Sequence, residues 1–329
     1  MHLKIRSRGA LVAWLVALTT LTAAVASPSS PTTAPSSTAN ITPFVPTTAG
    51  SPAAADSARI TNLAIRSRSG LGVETLIVGV TVGGAGTSGS MPLLFRGAGP
   101  TLAVFGVPGF LVDPVLSVFS DTTFTQNDNW GSDAGLTAVF SRVGAFPFTS
   151  GASLDAALYS PTVRPGGYTV QISGARGTTG VALAEVYDAT PPGESTAATP
   201  RLTNVSARTQ VGTGGDTLIA GFVISGSSNK TVLLRAAGPA LVELGVSGVL
   251  LDPKLELYGS DGALVTSNDN WSGTAELTAA FTAVGAFSFE TTSKDAALLV
   301  TLRPGAYTAQ VTGIGGTSGI ALVEVYEVP

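Results

Sequence analysis

Read for its apolar and polar positions, the chain breaks into short β-type runs separated by turn residues. Residues 75–82 (TLIVGVTV) form a near-continuous apolar strand rich in β-branched side chains. Residues 59–65 precede it. Residues 92–96, 115–119, 124–126, 156–159, 168–173 and 182–187 follow, with turn residues between them. Short strands at this spacing predict an antiparallel sandwich or barrel. Two segments change period. Leu136, Val139, Phe140 and Val143 stand at i, i+3, i+4, i+7, as do Leu277, Ala280, Phe281 and Val284. Each set predicts a short amphipathic helix, read as a lid over the open end of a sandwich. Pro239, at a helix-starting position before Leu241 and Leu244, predicts one more helical turn.

The pattern is written twice. Residues 116–130 (LSVFSDTTFTQNDNW) are answered by 255–271 (LELYGSDGALVTSNDNW), both ending in Asn-Asp-Asn-Trp. Arg96-Gly97-Ala98-Gly99-Pro100 is answered by Arg235-Ala236-Ala237-Gly238-Pro239, and Asp113-Pro114 by Asp252-Pro253. Pro165-Gly166-Gly167-Tyr168-Thr169 recurs as Pro304-Gly305-Ala306-Tyr307-Thr308. The offset drifts between 139 and 142, which places the length differences in loops. One module has been duplicated in tandem.

The chain ahead of the repeat has a different character. Lys4, Arg6 and Arg8 precede an apolar run that ends in Ala24-Val25-Ala26, so 1–26 is expected to be a cleaved signal peptide. Residues 27–57, rich in Ser, Thr, Pro and Ala, read as a disordered spacer. The expected order is then module 1 over 58–188, a linker over 189–199, and module 2 over 200–329. This predicts a secreted or cell-surface protein with no membrane insertion after cleavage.

Composition narrows the chemistry. Hydrophobic residues make up 44% of the chain and charged residues 12%, enough apolar content to bury a core. Without the leader, fourteen basic side chains face 21 acidic ones, a net charge of −7, with no basic cluster for nucleic acid. There is no Cys, and the single His is His2, inside the leader. The mature chain therefore lacks the imidazole and thiolate of Ser-His-Asp and Cys-His catalysis, and the soft ligands of zinc or copper.

The order Asp-Pro, strand, Asp-Gly turn, Asn-Asp-Asn and Pro-Gly-x-Tyr-Thr resembles the bacterial pre-peptidase C-terminal domains and related tandem modules of secreted bacterial proteins. Asp252-Pro253, residues 255–258, Asp261-Gly262, Asn268-Asp269-Asn270, Asp295, Pro304-Gly305 and Tyr307 carry the likeness. It covers mainly the second half of each copy. It implies a jelly-roll-like β-sandwich in each copy and an accessory role, binding a target or aiding secretion. The sequence departs from that pattern where Asp121 is followed by Thr122 rather than Gly, and no catalytic domain precedes the modules.

The candidate site residues fall into three groups. Asp128, Asn129, Asp269 and Asn270 offer hard oxygen ligands suited to calcium, but a full shell requires Asp113/Asp252 or Asp155/Asp295 to converge on them. An Asx turn that bonds its own backbone is the competing reading. Trp130 and Trp271 could form a platform for sugar or pack over the sandwich edge. Arg96 and Arg235 sit in apolar strands, as do Glu185 and Glu324, so each copy is expected to hold one internal Arg–acid pair.

Other matches fail on context. The G-x-G-x-x-G of residues 84–89 lies between strands, with no helix to hold a pyrophosphate. The S-x-x-K of residues 227–230 falls in the equivalent connection; both are read as hairpin loops. The favoured function is a non-catalytic exported module binding carbohydrate or protein. A carboxylate hydrolase using a pair such as Asp269 and Asp295, or a ligand-free structural spacer, are the alternatives.

Overall fold

A computed structural model describes residues 58–121 and 123–329. The expected signal peptide and spacer lie outside the described residues. The fold is all-β. The first half runs β1 (Arg59–Ser69), β2 (Leu76–Gly83), β3 (Met91–Ala98), β4 (Pro114–Phe119) and β5 (Phe124–Asn127). It continues through helix α1 (Ala134–Val143) into β6 (Ala156–Val163), β7 (Gly166–Gly174) and β8 (Gly180–Asp188). The second half repeats the order as β9 (Arg201–Val211), β10 (Leu218–Ser225), β11 (Lys230–Ala237), β12 (Pro253–Gly259) and β13 (Leu264–Asn268). Helix α2 (Ala275–Val284) then leads to β14 (Ala296–Leu302), β15 (Gly305–Gly313) and β16 (Gly319–Glu327).

Strand pairing does not stop at the boundary between halves. One row reads β6-β3-β8-β1 and continues through β10-β15-β12-β13. The other reads β14-β11-β16-β9 and continues through β2-β7-β4-β5. All these strand pairs are antiparallel, and the rows touch where Ile60 meets Leu202. Each half thus gives four strands to each layer, and edge strands are exchanged reciprocally: β1 on β10, β9 on β2. Pairing removes the open N–H and C=O groups that an edge would present.

The same exchange merges the interiors. A single buried cluster contains Leu63, Val78 and Ile172 from the first half with Val205, Phe222 and Val311 from the second. The resemblance implies a sandwich closed within each copy; the structure instead joins the two interiors across the seam. Ser67 and Thr209 hydrogen-bond through their hydroxyls at 2.9 Å where β1 faces β9. An ion pair flanks the seam within each half, Arg59 to Asp188 at 3.2 Å in the first and Arg201 to Glu327 at 2.6 Å in the second. Lys230 adds a second cation on Glu327 at 2.7 Å.

Two further expectations change. The 84–89 and 227–230 segments are not hairpins, because β2 pairs with β7 and β9 while β3 pairs with β6 and β8. They cross from one layer to the other. The two helices also lie elsewhere than expected: they cover the outer face of the β3/β6 and β11/β14 strands rather than the ends of the sandwich. Asp133 and Thr274 cap them by accepting the N–H of Leu136 and Leu277. Gly144 and Gly285 end them in the left-handed conformation that glycine adopts without strain. Val139 and Phe140, and Ala280 and Phe281, are the buried helix residues.

Candidate functional site

Beneath each helix an aromatic cluster forms on the outer face of the sheet, continuous with the main core in the first half and separate from it in the second, and it holds the arginine that the strand pattern singles out. Arg96 and Glu185 are cross-strand neighbours on β3 and β8, with Nε and Oε2 3.3 Å apart and neither side chain exposed. Arg235 and Glu324 repeat this on β11 and β16, also at 3.3 Å. Glu185 and Glu324 each accept a hydrogen bond of 2.6 Å from the tyrosine two residues on, Tyr187 and Tyr326. Residues i and i+2 of a strand share a face, so the Glu-Val-Tyr sequence places both groups together.

Phenylalanines enclose the cation. The guanidinium carbon of Arg96 lies 4.5, 4.3 and 4.2 Å from the ring centroids of Phe140, Phe146 and Phe148. Around Arg235 the rings of Phe281, Phe287 and Phe289 stand at 4.4, 4.3 and 4.0 Å. Desolvated cation–π contacts are worth about 2 kcal/mol or more. The two sites differ in one respect. Arg235 donates through Nη1 to the Phe287 carbonyl at 2.8 Å, whereas Nη1 and Nη2 of Arg96 meet no well-aligned acceptor.

Burial raises the pKa of the Glu185 carboxyl; Arg96 and the Tyr187 hydroxyl oppose that shift without cancelling it. Burial likewise pushes the Tyr187 and Tyr326 hydroxyls up, and the neighbouring glutamates add to it.

The tryptophans belong to the same clusters. Trp130 packs on Phe140 and Phe148 at 5.7 and 5.6 Å, and Trp271 on Phe281 and Phe289 at 5.2 and 5.8 Å. Their indole N–H groups donate to the carbonyls of Ser150 and Glu290. Trp271 is buried and Trp130 half-buried, so both rings are engaged in packing.

The Asn-Asp-Asn turns have a structural task. Asn127 accepts the N–H of Ala157 and donates to the Asn129 carbonyl, tying the end of β5 to β6. Asn268 does the same with Ala297 and Asn270. Asp128, Asn129, Asp269 and Asn270 stand exposed on these turns. Asp155 and Asp295 do not converge on them. Asp155 accepts the N–H of Gly99 at 2.7 Å, the N–H of Thr101, the Thr101 hydroxyl at 2.5 Å and the Ser153 hydroxyl. Asp295 takes the N–H groups of Gly238 and Ala240 and the Ser293 hydroxyl. Asp252 pairs with Lys294. Among the described residues no three His, Cys, Asp or Glu side chains are grouped as a metal site.

The aspartate cradles also explain the repeated Arg-x-Ala-Gly-Pro block. A Cβ on Gly99 would lie 2.0 Å from the Leu111 carbonyl oxygen, and one on Gly238 the same distance from that of Leu250. Only glycine lets the backbone approach and present its N–H to the carboxylate.

A separate opening lies at the mouth of the first half. A groove of about 850 Å³ is bordered by the turn after β4, the segment before β3 and the β6–β7 turn. Ser90, Ser120, Thr123, Thr125, Ser160 and Thr162 give it hydroxyls. Asp121 and Arg164 add one charge of each sign, and Tyr168 lines it with its hydroxyl donating to the Arg164 carbonyl at 2.8 Å.

Sequence reasoning brought out the Arg, Glu and Trp positions but missed the Phe triplets, Tyr187 and Tyr326. Their signal was present: Gly-Ala-Phe-x-Phe follows both helices and Glu-Val-Tyr closes both copies. The groove had no comparable signal, since its lining comes from three separate segments.

No protein-family model matches the chain, and no curated protein does. Among solved structures, PNGF-II is 11% identical over 85% of this chain, with a TM-score of 0.19. The chain spans 63% of the PNGF-II chain. A DUF4785 family protein from Legionella pneumophila is 8% identical over 82% of this chain and 84% of its own, with a TM-score of 0.20. Likenesses this weak carry no weight for function.

Proposed function

We propose that the protein is an exported, non-catalytic binding module of the cell surface or extracellular space, engaging carbohydrate or protein. The observation that carries this reading is how the recurring polar side chains are used. Asp155/Asp295, Glu185/Glu324 and Asn127/Asn268 accept their hydrogen bonds inside the fold, and Arg96/Arg235 pair with the glutamates there. Asp295 is buried beneath backbone N–H groups while Asp269 is exposed on a turn, which does not favour the paired carboxylates of a glycoside hydrolase. What remains is a rigid scaffold whose mouth loops differ between halves, the usual arrangement for recognition. The resemblance to pre-peptidase C-terminal modules, an accessory type, supports the same reading.

The chain from Ser27 onward, applied to glycan and matrix-protein arrays, is expected to retain at least one ligand and leave it chemically unchanged. Release of hydrolysed product would overturn the non-catalytic part. Retention of nothing on either array would favour the ligand-free spacer.

A further inference from the structure

We infer that the groove at the mouth of the first half is a binding site for a neutral oligosaccharide. This rests on the binding-module reading and adds the place and the ligand class. At equivalent positions the first half has a smaller residue in the core behind the groove and a more polar one on its wall than the second half has. Val80 of β2 pairs with Tyr168, whereas the equivalent Phe222 of β10 pairs with Tyr307 and packs its ring on it at 5.0 Å. Ser160 stands opposite Leu93 on β6, and its counterpart Val300 stands opposite Val232.

β6 also carries one more residue than β14. The pairing steps from Leu93–Ser160 to Met91–Val163, so two residues on β3 oppose three on β6. Such a bulge re-aims side chains and is common beside functional sites. Here it places Thr162 on the groove wall.

The chemistry of the lining selects the ligand. Drug-like and lipid-like ligands need mainly apolar walls, yet this groove is lined chiefly by hydroxyls. Side chains that donate and accept in turn match a polyhydroxyl chain. Asp121 and Arg164 offset one another, which favours an uncharged ligand over an acidic or basic one. The half-buried ring of Tyr168 supplies an apolar surface for a sugar face.

The test is calorimetric titration of the chain from Ser27 with five neutral hexasaccharides: cello-, laminari-, xylo-, manno- and maltohexaose. At least one is expected to bind saturably at one site per chain. Ser160→Val, on the partly exposed edge strand, copies the second half into the groove wall and is expected to weaken binding about tenfold or more. Val300→Ser in the second half is expected to leave it unchanged. Absence of binding by all five sugars would overturn the inference, and so would binding unaffected by Ser160→Val. A protein ligand on the arrays that ignores Ser160→Val, with no sugar bound, would remove the groove inference while sparing the binding-module reading.

Discussion

Under α1, Arg96, Glu185 and Tyr187 meet Phe140, Phe146 and Phe148; under α2, Arg235, Glu324 and Tyr326 meet Phe281, Phe287 and Phe289. The two clusters repeat the same side chains residue for residue, with one added bond from Arg235 to the Phe287 carbonyl. The two mouths do not: Ser160 and a bulge stand on one side, Val300 in an unbulged strand on the other. Duplication has kept the residues whose bonds close inside the fold and let the rim residues drift. The difference teaches where to look for recognition, because side chains satisfied internally have little left to offer a ligand.

The strongest way to break the comparison is to orphan one buried cation. Glu185→Ala leaves Arg96 with three aromatic faces and no counter-ion, at an expected cost of about 3–5 kcal/mol in urea unfolding. Glu324→Ala is expected to cost less, since Arg235 keeps the Phe287 carbonyl. Equal losses, or losses under about 1 kcal/mol, would mean that the pairs do not differ as described.

A smaller asymmetry lies in the aspartate cradles. Thr101 donates its hydroxyl to Asp155 and accepts the N–H of Thr149, where the second half has Ala240. Thr101→Ala is expected to cost about 1–3 kcal/mol by denaturant titration. No loss would make the extra hydroxyl redundant.

The pH response tests the environment of Glu185. Because its folded pKa is raised, the folded protein keeps that proton at pH values where the unfolded chain has released it. Its contribution to stability therefore falls as pH rises from the ordinary value of 4.5 through the raised one. Wild type measured against Glu185→Gln should show this fall, at most about 1.4 kcal/mol per pH unit, which the variant lacks. A difference rising across that interval would contradict the assigned direction.

The smallest effect is expected at the tryptophans. Trp271 is 3% exposed and Trp130 only half-buried, so Trp271→Phe should destabilise more than Trp130→Phe, the latter by less than about 1 kcal/mol. The reverse order would contradict their placement.

Much of this was legible from the chain alone. Alternation and turn residues marked every strand, and an arginine in an apolar strand called for an acid that Glu185 and Glu324 supply. The exchange of edges was not read, although a hint existed. Residues 75–82 are apolar almost without interruption and contain no Lys or Pro, unlike a strand meant to remain at an edge. Partner choice between two strands of equal character leaves no residue-level mark, so β10 rather than solvent beside β1 came only with the structure. The helices were found by period, but period says nothing about which surface of a sandwich they cover.

Differential scanning calorimetry of the chain from Ser27 tests most directly whether the two halves act as one folded body. With β1 on β10, β9 on β2 and one shared core, a single transition is expected, with calorimetric and van't Hoff enthalpies equal. Two resolved transitions, or a calorimetric enthalpy near twice the van't Hoff value, would show that the halves melt independently and would contradict the account.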